Sequence, residues 1–270
     1  MENECNHNCE TCTQKCEISK DAPNAMSSIK KVIAVMSGKG GVGKSMIASA
    51  LAVLTQRKGY NCAVLDADIT GPSIPKSFGI NDKAIGTEVG ILPNLTKTGL
   101  QVASINLMLE DDTQPVVWRG PVIAGAVKQF WTDVIWNNVD VMYIDMPPGT
   151  GDVPLTVLQS IPVDGIVVVT SPQTLVSMVV EKAIKMAGML NVPIVGVVEN
   201  MSYYMCPNCG SKHSIFGKSS IDELAKRYQI QNVCRLPIDP KFAAAADEGL
   251  LELIDMPQLD NLVEAIIDKN

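Results

Sequence analysis

The chain has 270 residues, of which 46% are hydrophobic and 19% are charged, and this composition excludes general disorder. Its 22 basic and 29 acidic residues give a net charge of −7, which argues against a nucleic-acid-binding surface because phosphate affinity needs clustered Lys and Arg. No apolar stretch is long enough to span a bilayer, and the polar N-terminus lacks a signal-peptide core. We therefore expect a cytoplasmic protein with neither membrane nor nucleic-acid partners.

Residues 1–28 differ from the rest of the chain because they are polar, rich in cysteine and without apolar periodicity. Four of the eight cysteines (Cys5, Cys9, Cys12 and Cys16) lie there, and a reducing compartment disfavours disulfides between them. Four thiols on one chain suffice for either an iron–sulfur cluster or zinc, and His7 could substitute for one of them. We predict a flexible arm over residues 1–28 and a single domain over residues 29–270.

Strand and helix patterns alternate from residue 30 onward. Short apolar runs predict buried strands at residues 31–36, 62–66, 101–105, 141–145, 166–170 and 193–198. Helical periodicity predicts helices at residues 44–58, 121–137, 175–190, 220–228 and 259–267. Residues 71–100, rich in Gly and Pro, predict a long loop with short elements. This alternation predicts an α/β fold with a mostly parallel sheet and helices on both faces.

Residues 38–45 (GKGGVGKS) match the phosphate-loop pattern G-x-x-x-x-G-K-[ST], between a predicted strand and a predicted helix. The glycines allow several backbone N–H groups to point at one phosphate, and the helix N-terminus adds its positive end. Lys44 is expected to reach the β- and γ-phosphates, and the Ser45 hydroxyl to bind Mg²⁺. Lys39 is either a solvated charge or a second cation that reaches a phosphate, including one on a neighbouring subunit.

Acidic residues end two of the predicted strands. Asp145 ends residues 141–145 and precedes a Pro-Pro-Gly-Thr-Gly run, and Asp68 follows the strand at residues 62–66. A carboxylate after an apolar strand is the usual companion of a phosphate loop, and Gly-Thr-Gly can move with the γ-phosphate. Asp68 is a candidate to orient the attacking water or the metal shell.

Cys206 and Cys209 form a Cys-Pro-Asn-Cys sequence. Iron–sulfur clusters and zinc both need about four soft ligands, so two chains related by a twofold axis would have to contribute one pair each. Cys-Pro-x-Cys-Gly is also found in zinc ribbons, and the residues by themselves leave both metals open. Cys62 and Cys234 lie in apolar runs and are predicted to be core residues.

Five segments in this order resemble the Mrp/ApbC family of iron–sulfur cluster carrier ATPases, which are related to partition and septum-site ATPases and to nitrogenase iron protein. They are residues 39–45, 66–75 (DADITGPSIP), 145–152 (DMPPGTGD), 199–202 (ENMS) and 206–209 (CPNC). The resemblance covers about residues 30–268 and implies a P-loop NTPase fold. It further implies a homodimer that binds ATP and Mg²⁺, hydrolyses ATP slowly, holds a [4Fe–4S] cluster between subunits and passes it to apoproteins.

The resemblance also implies roles for individual residues. Lys39 would act across the dimer on the partner's nucleotide, Asp68 would position water, and Asp145 would lie beside Mg²⁺. Asn200 would recognise the adenine edge, residues 235–239 would flank the base, and Cys206 and Cys209 would bind the cluster. The nucleotide-binding set is Gly38, Lys39, Gly40, Gly41, Val42, Gly43, Lys44, Ser45, Met46, Asn200, Pro237 and Asp239. The spacing of the N-terminal cysteines resembles in kind that of the eukaryotic cytosolic scaffold branch.

Two other functions occur among the related ATPases. A partition or positioning ATPase needs a basic surface or a basic amphipathic C-terminal helix, but residues 255–270 carry four acidic residues and one Lys. A reductase like nitrogenase iron protein needs a cluster cysteine beside its switch segments, and no Cys occurs between Cys62 and Cys206.

Overall fold

The computed structural model describes residues 20–69, 71–108, 120–217 and 219–268, with the side chains of all of these except residues 120 and 174–179. Eight helices lie in these ranges, and they are α1 Lys44–Arg57, α2 Ile74–Ser77, α3 Gly120–Thr132, α4 Asp152–Ser160, α5 Thr174–Met189, α6 Ile221–Arg227, α7 Pro240–Asp247 and α8 Asp260–Asp268. None of the described helices combines the length and hydropathy that a bilayer span requires.

The strands are β1 Ile29–Ser37, β2 Cys62–Asp66, β3 Ile85–Thr87, β4 Gly90–Leu92, β5 Asn94–Leu95, β6 Gln101–Ala103, β7 Val139–Asp145, β8 Gly165–Thr170, β9 Ile194–Met205, β10 Lys212–His213 and β11 Asn232–Pro237. Nine of them form one sheet in the order β10-β9-β8-β1-β7-β2-β6-β5, with β11 also paired to β9. Its central pairs are parallel, and β5 and β10 add antiparallel pairs near the two edges. The predicted fold is confirmed.

Two apolar cores lie on opposite faces of the sheet because side chains alternate along each strand. In β1, Val32, Ala34 and Met36 pack against α3, α4, α5 and α6, whereas Ile33 and Val35 face α1, α2 and α8. Both faces of the central strands are thus covered, which explains why their sequences are continuous apolar runs.

The helix predicted at residues 121–137 and the strands predicted at residues 101–105 and 193–198 end at other residues in the structure. Helix α3 ends at Thr132 rather than at residue 137 because the backbone after it pairs with Ile91 in β4. The Ile91 N–H donates to the Asp133 carbonyl, and the Ile135 N–H donates to the Ile91 carbonyl. Strand β6 ends at Ala103, where a 3₁₀ turn begins at Ile105. Strand β9 continues to Met205, well beyond residue 198, because it gains β10 and β11 as partners.

The segment before β1 runs along the body of the domain. The Asp21 N–H donates to the Ser160 carbonyl at the end of α4, and the Trp131 indole donates to the Asp21 carbonyl. The Lys20 ammonium group also donates to the Leu158 carbonyl. Residues 20–28 therefore contact the α/β domain, while residues 1–19 lie outside the described ranges and the division of the chain at residue 28 stays a prediction.

Candidate functional site

The glycine-rich loop joins β1 to α1 at the carboxyl edge of the sheet. Gly43 precedes the first residue of α1 and has a φ of +84°, a conformation that side chains rarely adopt. A Cβ at this position would also clash with the Asn200 amide nitrogen. Gly41, with a φ of +78°, turns the loop in the same way. Both glycines are therefore required for the loop to curl in front of the helix N-terminus.

Lys44 is held at this edge by two carboxylates. Its ammonium nitrogen lies 2.5 Å from Asp145 Oδ1 and 3.7 Å from Asp68 Oδ2, and the side chain is only 6% exposed. A buried cation is stable only when it is paired and hydrogen-bonded. The structure thus brings Lys44, Asp68 and Asp145 together, as the sequence predicted, although they lie up to 101 positions apart.

A third carboxylate, Asp66, belongs to this cluster and was not assigned a role from sequence. It lies opposite Asp145 in the β2–β7 register, accepts a hydrogen bond from the Ser104 hydroxyl at 3.0 Å, and is fully buried. Burial raises the pKa of both Asp66 and Asp145, and the nearby Lys44 charge opposes that rise. Asp66 is the last residue of the apolar run at residues 62–66, just as Asp145 is the last residue of residues 141–145. This shared position at a strand end was the signal that could have identified Asp66 as a site residue.

Two polar atoms here are buried without a hydrogen-bond partner among the described residues, Asp145 Oδ2 and Ser37 Oγ. Buried polar atoms are rarely left unsatisfied unless a ligand, ion or water meets them. A cleft of about 450 Å³ opens at this point, lined by the glycine loop, Ser45, Asp68, Pro148 and residues of α2 and α7. Its donors, acceptors and size fit nucleotide phosphates with Mg²⁺, which Ser45 and Asp145 would hold.

Lys39 differs from Lys44 because it is exposed. Its ammonium nitrogen makes a long contact of 3.4 Å with the Gln173 side-chain oxygen. It is available to a second molecule, so its predicted action across a dimer stays open as a prediction.

The predicted base-binding residues occupy two places. Asn200 is buried, donates to the Val42 carbonyl at 2.9 Å and so contacts the phosphate loop itself. Pro237 ends β11, and Asp239 caps α7 by accepting the Lys241 N–H at 2.9 Å. Met46 lies one residue beyond Ser45 in the wall of the same cleft. Their contacts with a base stay predictions.

Cys206 and Cys209 lie in the tight turn between β9 and β10. The Cys206 N–H donates to the Ser211 carbonyl and the Gly210 N–H donates to the Cys206 carbonyl, both at 2.9 Å. The Cys209 thiol lies 3.2 Å from the Ser211 hydroxyl, a hydrogen bond that lowers the pKa of Cys209. Across the described ranges, no three His, Cys, Asp or Glu side chains group to hold a metal ion. One chain therefore offers two thiols at this turn.

The remaining cysteines divide into two groups. Cys62 and Cys234 are buried, as predicted, and burial raises the pKa of Cys62 and raises that of Cys234 to about 11. The predicted ligands Cys5, Cys9, Cys12 and Cys16, together with His7, lie outside the described residues.

Comparison with known proteins follows the same lines. A protein-family model described as "ParA: NUBPL iron-transfer P-loop NTPase" matches residues 28–269. The iron–sulfur cluster carrier protein of Methanocaldococcus jannaschii is 42% identical over 282 aligned positions, covering 98% of this chain and 97% of the relative. The carrier protein of the same name from Clostridium perfringens is 45% identical over 232 positions, covering 83% and 81%.

Solved structures agree. A nucleotide-binding protein of Archaeoglobus fulgidus in complex with ADP has a TM-score of 0.78 and 41% identity, covering 86% of this chain and 91% of that one. The cell-division ATPase MinD of Pyrococcus furiosus has a TM-score of 0.65 at 18% identity, which shows a shared fold only. The phosphate loop, the carboxylates behind it and these matches lead to one assignment: the chain belongs to the NUBPL iron-transfer P-loop NTPase family.

Proposed function

We propose that this protein is an ATP-binding and weakly ATP-hydrolysing iron–sulfur cluster carrier that holds its cluster between two subunits and delivers it to apoproteins. The observation that carries the proposal is the presence, in one chain, of a complete phosphate-binding edge and a separate exposed turn with only two thiols. The names of the relatives that match nearly the whole chain support the same function.

The thiol turn favours a shared site. A cluster needs about four thiolates, and a twofold axis beside the turn would bring Cys206 and Cys209 of each chain together. Met205, Ile215 and Phe216 near the turn are 47%, 58% and 39% exposed, so the same surface offers apolar area for a symmetric contact. A [4Fe–4S] cluster held by two half-sites would be the cargo, and separation of the subunits would release it.

The nucleotide edge would regulate this dimer. Lys44 would bind the β- and γ-phosphates, Ser45 and Asp145 would hold Mg²⁺, and Asp68 would orient the attacking water. Lys39 is exposed on the loop and would reach the nucleotide of the second subunit. Slow hydrolysis suits a switch, because the two nucleotide states then persist long enough to differ in cluster affinity.

The wider setting of this function is proposed on the same grounds. The protein would act in the cytoplasm, with apo iron–sulfur proteins as recipients and without membrane or nucleic-acid partners. The N-terminal quartet of Cys5, Cys9, Cys12 and Cys16 would hold a second cluster or zinc. At the Cys206–Cys209 turn itself, the alternative is structural zinc, because Cys-Pro-x-Cys-Gly is also found in zinc ribbons.

Anaerobic reconstitution with iron and sulfide tests the function. Cys206→Ala and Cys209→Ala should each remove the cluster of the turn while ATP affinity stays within about twofold. The background should carry Cys5, Cys9, Cys12 and Cys16 all changed to Ala, so that counts of iron, sulfide and zinc report on the turn only. Ser214→Ala, on the same surface, is the matched control and should keep full iron. Full iron at the turn of a strictly monomeric protein, or zinc in its place, would contradict the proposal.

A further inference from the structure

Strand β9 connects the nucleotide edge to the thiol turn. It enters the sheet at Ile194, passes the phosphate loop at Asn200 and leads directly into Cys206. Two neighbouring residues on this strand, Glu199 and Asn200, have side chains directed to opposite sides of it. Both are buried, at 2% and 4% exposure, and both make polar contacts with segments distant in sequence.

Asn200 joins the strand to the phosphate loop. Its amide nitrogen donates to the Val42 carbonyl at 2.9 Å, and its amide oxygen accepts the Met201 N–H, also at 2.9 Å. Met201 has a φ of +54°, a left-handed conformation that is unusual for a residue other than glycine. A displacement of the loop at Val42 would therefore act on a strained backbone position of β9.

Glu199 joins the strand to the base of the thiol turn. Its Oε2 accepts the Ser202 hydroxyl at 2.6 Å and its Oε1 accepts the Ser219 hydroxyl at 2.5 Å. Ser202 and Ser219 stand on either side of the segment that carries Cys206 and Cys209. One buried carboxylate thus holds both ends of that segment, and Ser219 also accepts the Ile221 N–H at the start of α6.

The carboxylate is itself fixed in place. Arg235 on β11 lies 3.8 Å from Glu199 Oε2 and 2.6 Å from Asp222 on α6. Burying a charge is costly unless it is paired and hydrogen-bonded, so Glu199 favours the arrangement in which both serines and Arg235 are in reach. Glu199 is not among the residues that we propose to bind the phosphates, Mg²⁺ or the attacking water.

We propose that Glu199 is a positioning residue that holds the base of the thiol turn and that, with Asn200, it links the geometry of the phosphate loop to that of the cluster ligands. The inference rests on the proposed cluster-carrier function and adds the route by which bound nucleotide changes cluster affinity. Such coupling is reciprocal, so the cluster must change nucleotide affinity by the same factor.

The test measures that factor as the ratio of ATP dissociation constants with and without the cluster in the full chain. We expect a ratio of at least about fivefold in the wild type, which is the lower end of typical allosteric coupling. In Glu199→Gln we expect a ratio within about twofold of one, because the neutral amide no longer accepts both serine hydroxyls and loses its ion pair with Arg235. ATP affinity without cluster, and iron per dimer, should each stay within about twofold of wild type.

A matched pair at Ser219 isolates the hydrogen bond. Ser219→Thr keeps the hydroxyl and should keep the coupling, whereas Ser219→Val has the same shape without the hydroxyl and should lose it. Glu181→Gln removes a carboxylate that pairs with Arg227 on the surface and should change nothing. The electron paramagnetic resonance spectrum of the reduced cluster should shift on adding Mg-ATP in wild type and Ser219→Thr, but not in Glu199→Gln or Ser219→Val.

The outcomes are distinguishable. Retained coupling in both Glu199→Gln and Ser219→Val overturns the inference, and so does a complete loss of iron in both, which would make Glu199 a support of the turn only. If Glu199→Gln does not fold, the Ser219 pair decides by itself. A wild-type protein that takes up no cluster refutes the proposed function, whereas a wild type with cluster but a ratio of one refutes only the link.

Discussion

The phosphate-loop edge and the thiol turn differ in burial and in how many of their ligand groups come from one chain. At the loop edge, Lys44 and Asp145 are buried and paired within one chain, so these charges are preorganised before any ligand arrives. At the turn, Cys206 is half-buried, Cys209 is exposed, and the described chain supplies no further ligand. A buried site retains its ligand by preorganised charge, whereas a half-site holds cargo only while a second molecule is present. The contrast fits a carrier that keeps its nucleotide and gives up its cluster.

Thiol reactivity gives the largest expected contrast. In apo protein, alkylation at neutral pH should modify Cys206 and Cys209 at least about a thousandfold faster than Cys62 and Cys234, whose thiols are buried and react only when the domain opens. The raised pKa values of Cys62 and Cys234 also slow their alkylation, because the thiolate is the reactive form. Peptide mapping by mass spectrometry after timed iodoacetamide treatment provides the rates, and similar rates for the two pairs would show that the turn is not open.

Replacement of the buried cation Lys44 should weaken nucleotide binding without affecting cluster binding. Lys44→Ala should weaken ATP binding at least about a hundredfold, equivalent to about 2.7 kcal/mol, because the carboxylates then repel the phosphates. Iron uptake at the Cys206–Cys209 turn should persist. Titration calorimetry measures the affinity, and Lys30→Ala, which breaks an exposed pair with Asp140, is the control expected to bind ATP normally. Unchanged affinity in Lys44→Ala would show that the buried pair has no part in nucleotide binding.

A smaller effect is expected from the raised pKa of Asp66, which should make the stability of the protein depend on pH. Because burial raises the pKa of Asp66, the unfolded chain loses this proton first as pH rises, and the apo folded state loses stability through the window from about pH 4 up to the raised value. Asp66→Asn carries no such proton. Its melting temperature relative to wild type should therefore be about 3 °C or more higher at pH 8 than at pH 5, by differential scanning calorimetry.

Asp140→Asn provides the opposite case for that measurement. Lys30 and the Asn61 N–H lower the pKa of Asp140, so its contribution to stability is lost only as pH falls below about 4. The melting temperature difference between Asp140→Asn and wild type should be the same at pH 5 and pH 8. If the melting temperature difference for Asp66→Asn is also the same at pH 5 and pH 8, burial does not raise the pKa of Asp66.

Elements with strong local signals were predicted closely. Strand β2 has the predicted bounds, and α1 ends one residue before the predicted end, since apolar runs and periodicity are local properties. Three helices were not predicted as such, and the short α2 lies in the segment predicted as a loop with short elements. Helix α4 contains Pro154 and β-branched residues, and it is stabilised by packing on α3; α7 buries none of its residues fully. In α7, Asp239 followed by Pro240 and an alanine run was a usable capping signal.

The sequence by itself determined the sheet, the phosphate loop and the chemistry of the two ligand sets, because a glycine-rich turn and a Cys-x-x-Cys turn are each encoded within a few residues. Only the tertiary structure decided which carboxylates surround Lys44, why Gly43 must lack a side chain beside Asn200, and how Glu199 holds Ser202 and Ser219. The hydrogen bond from Asn200 to Val42 beside Gly43 joins residues 158 positions apart, and no local pattern reports a contact across such a separation.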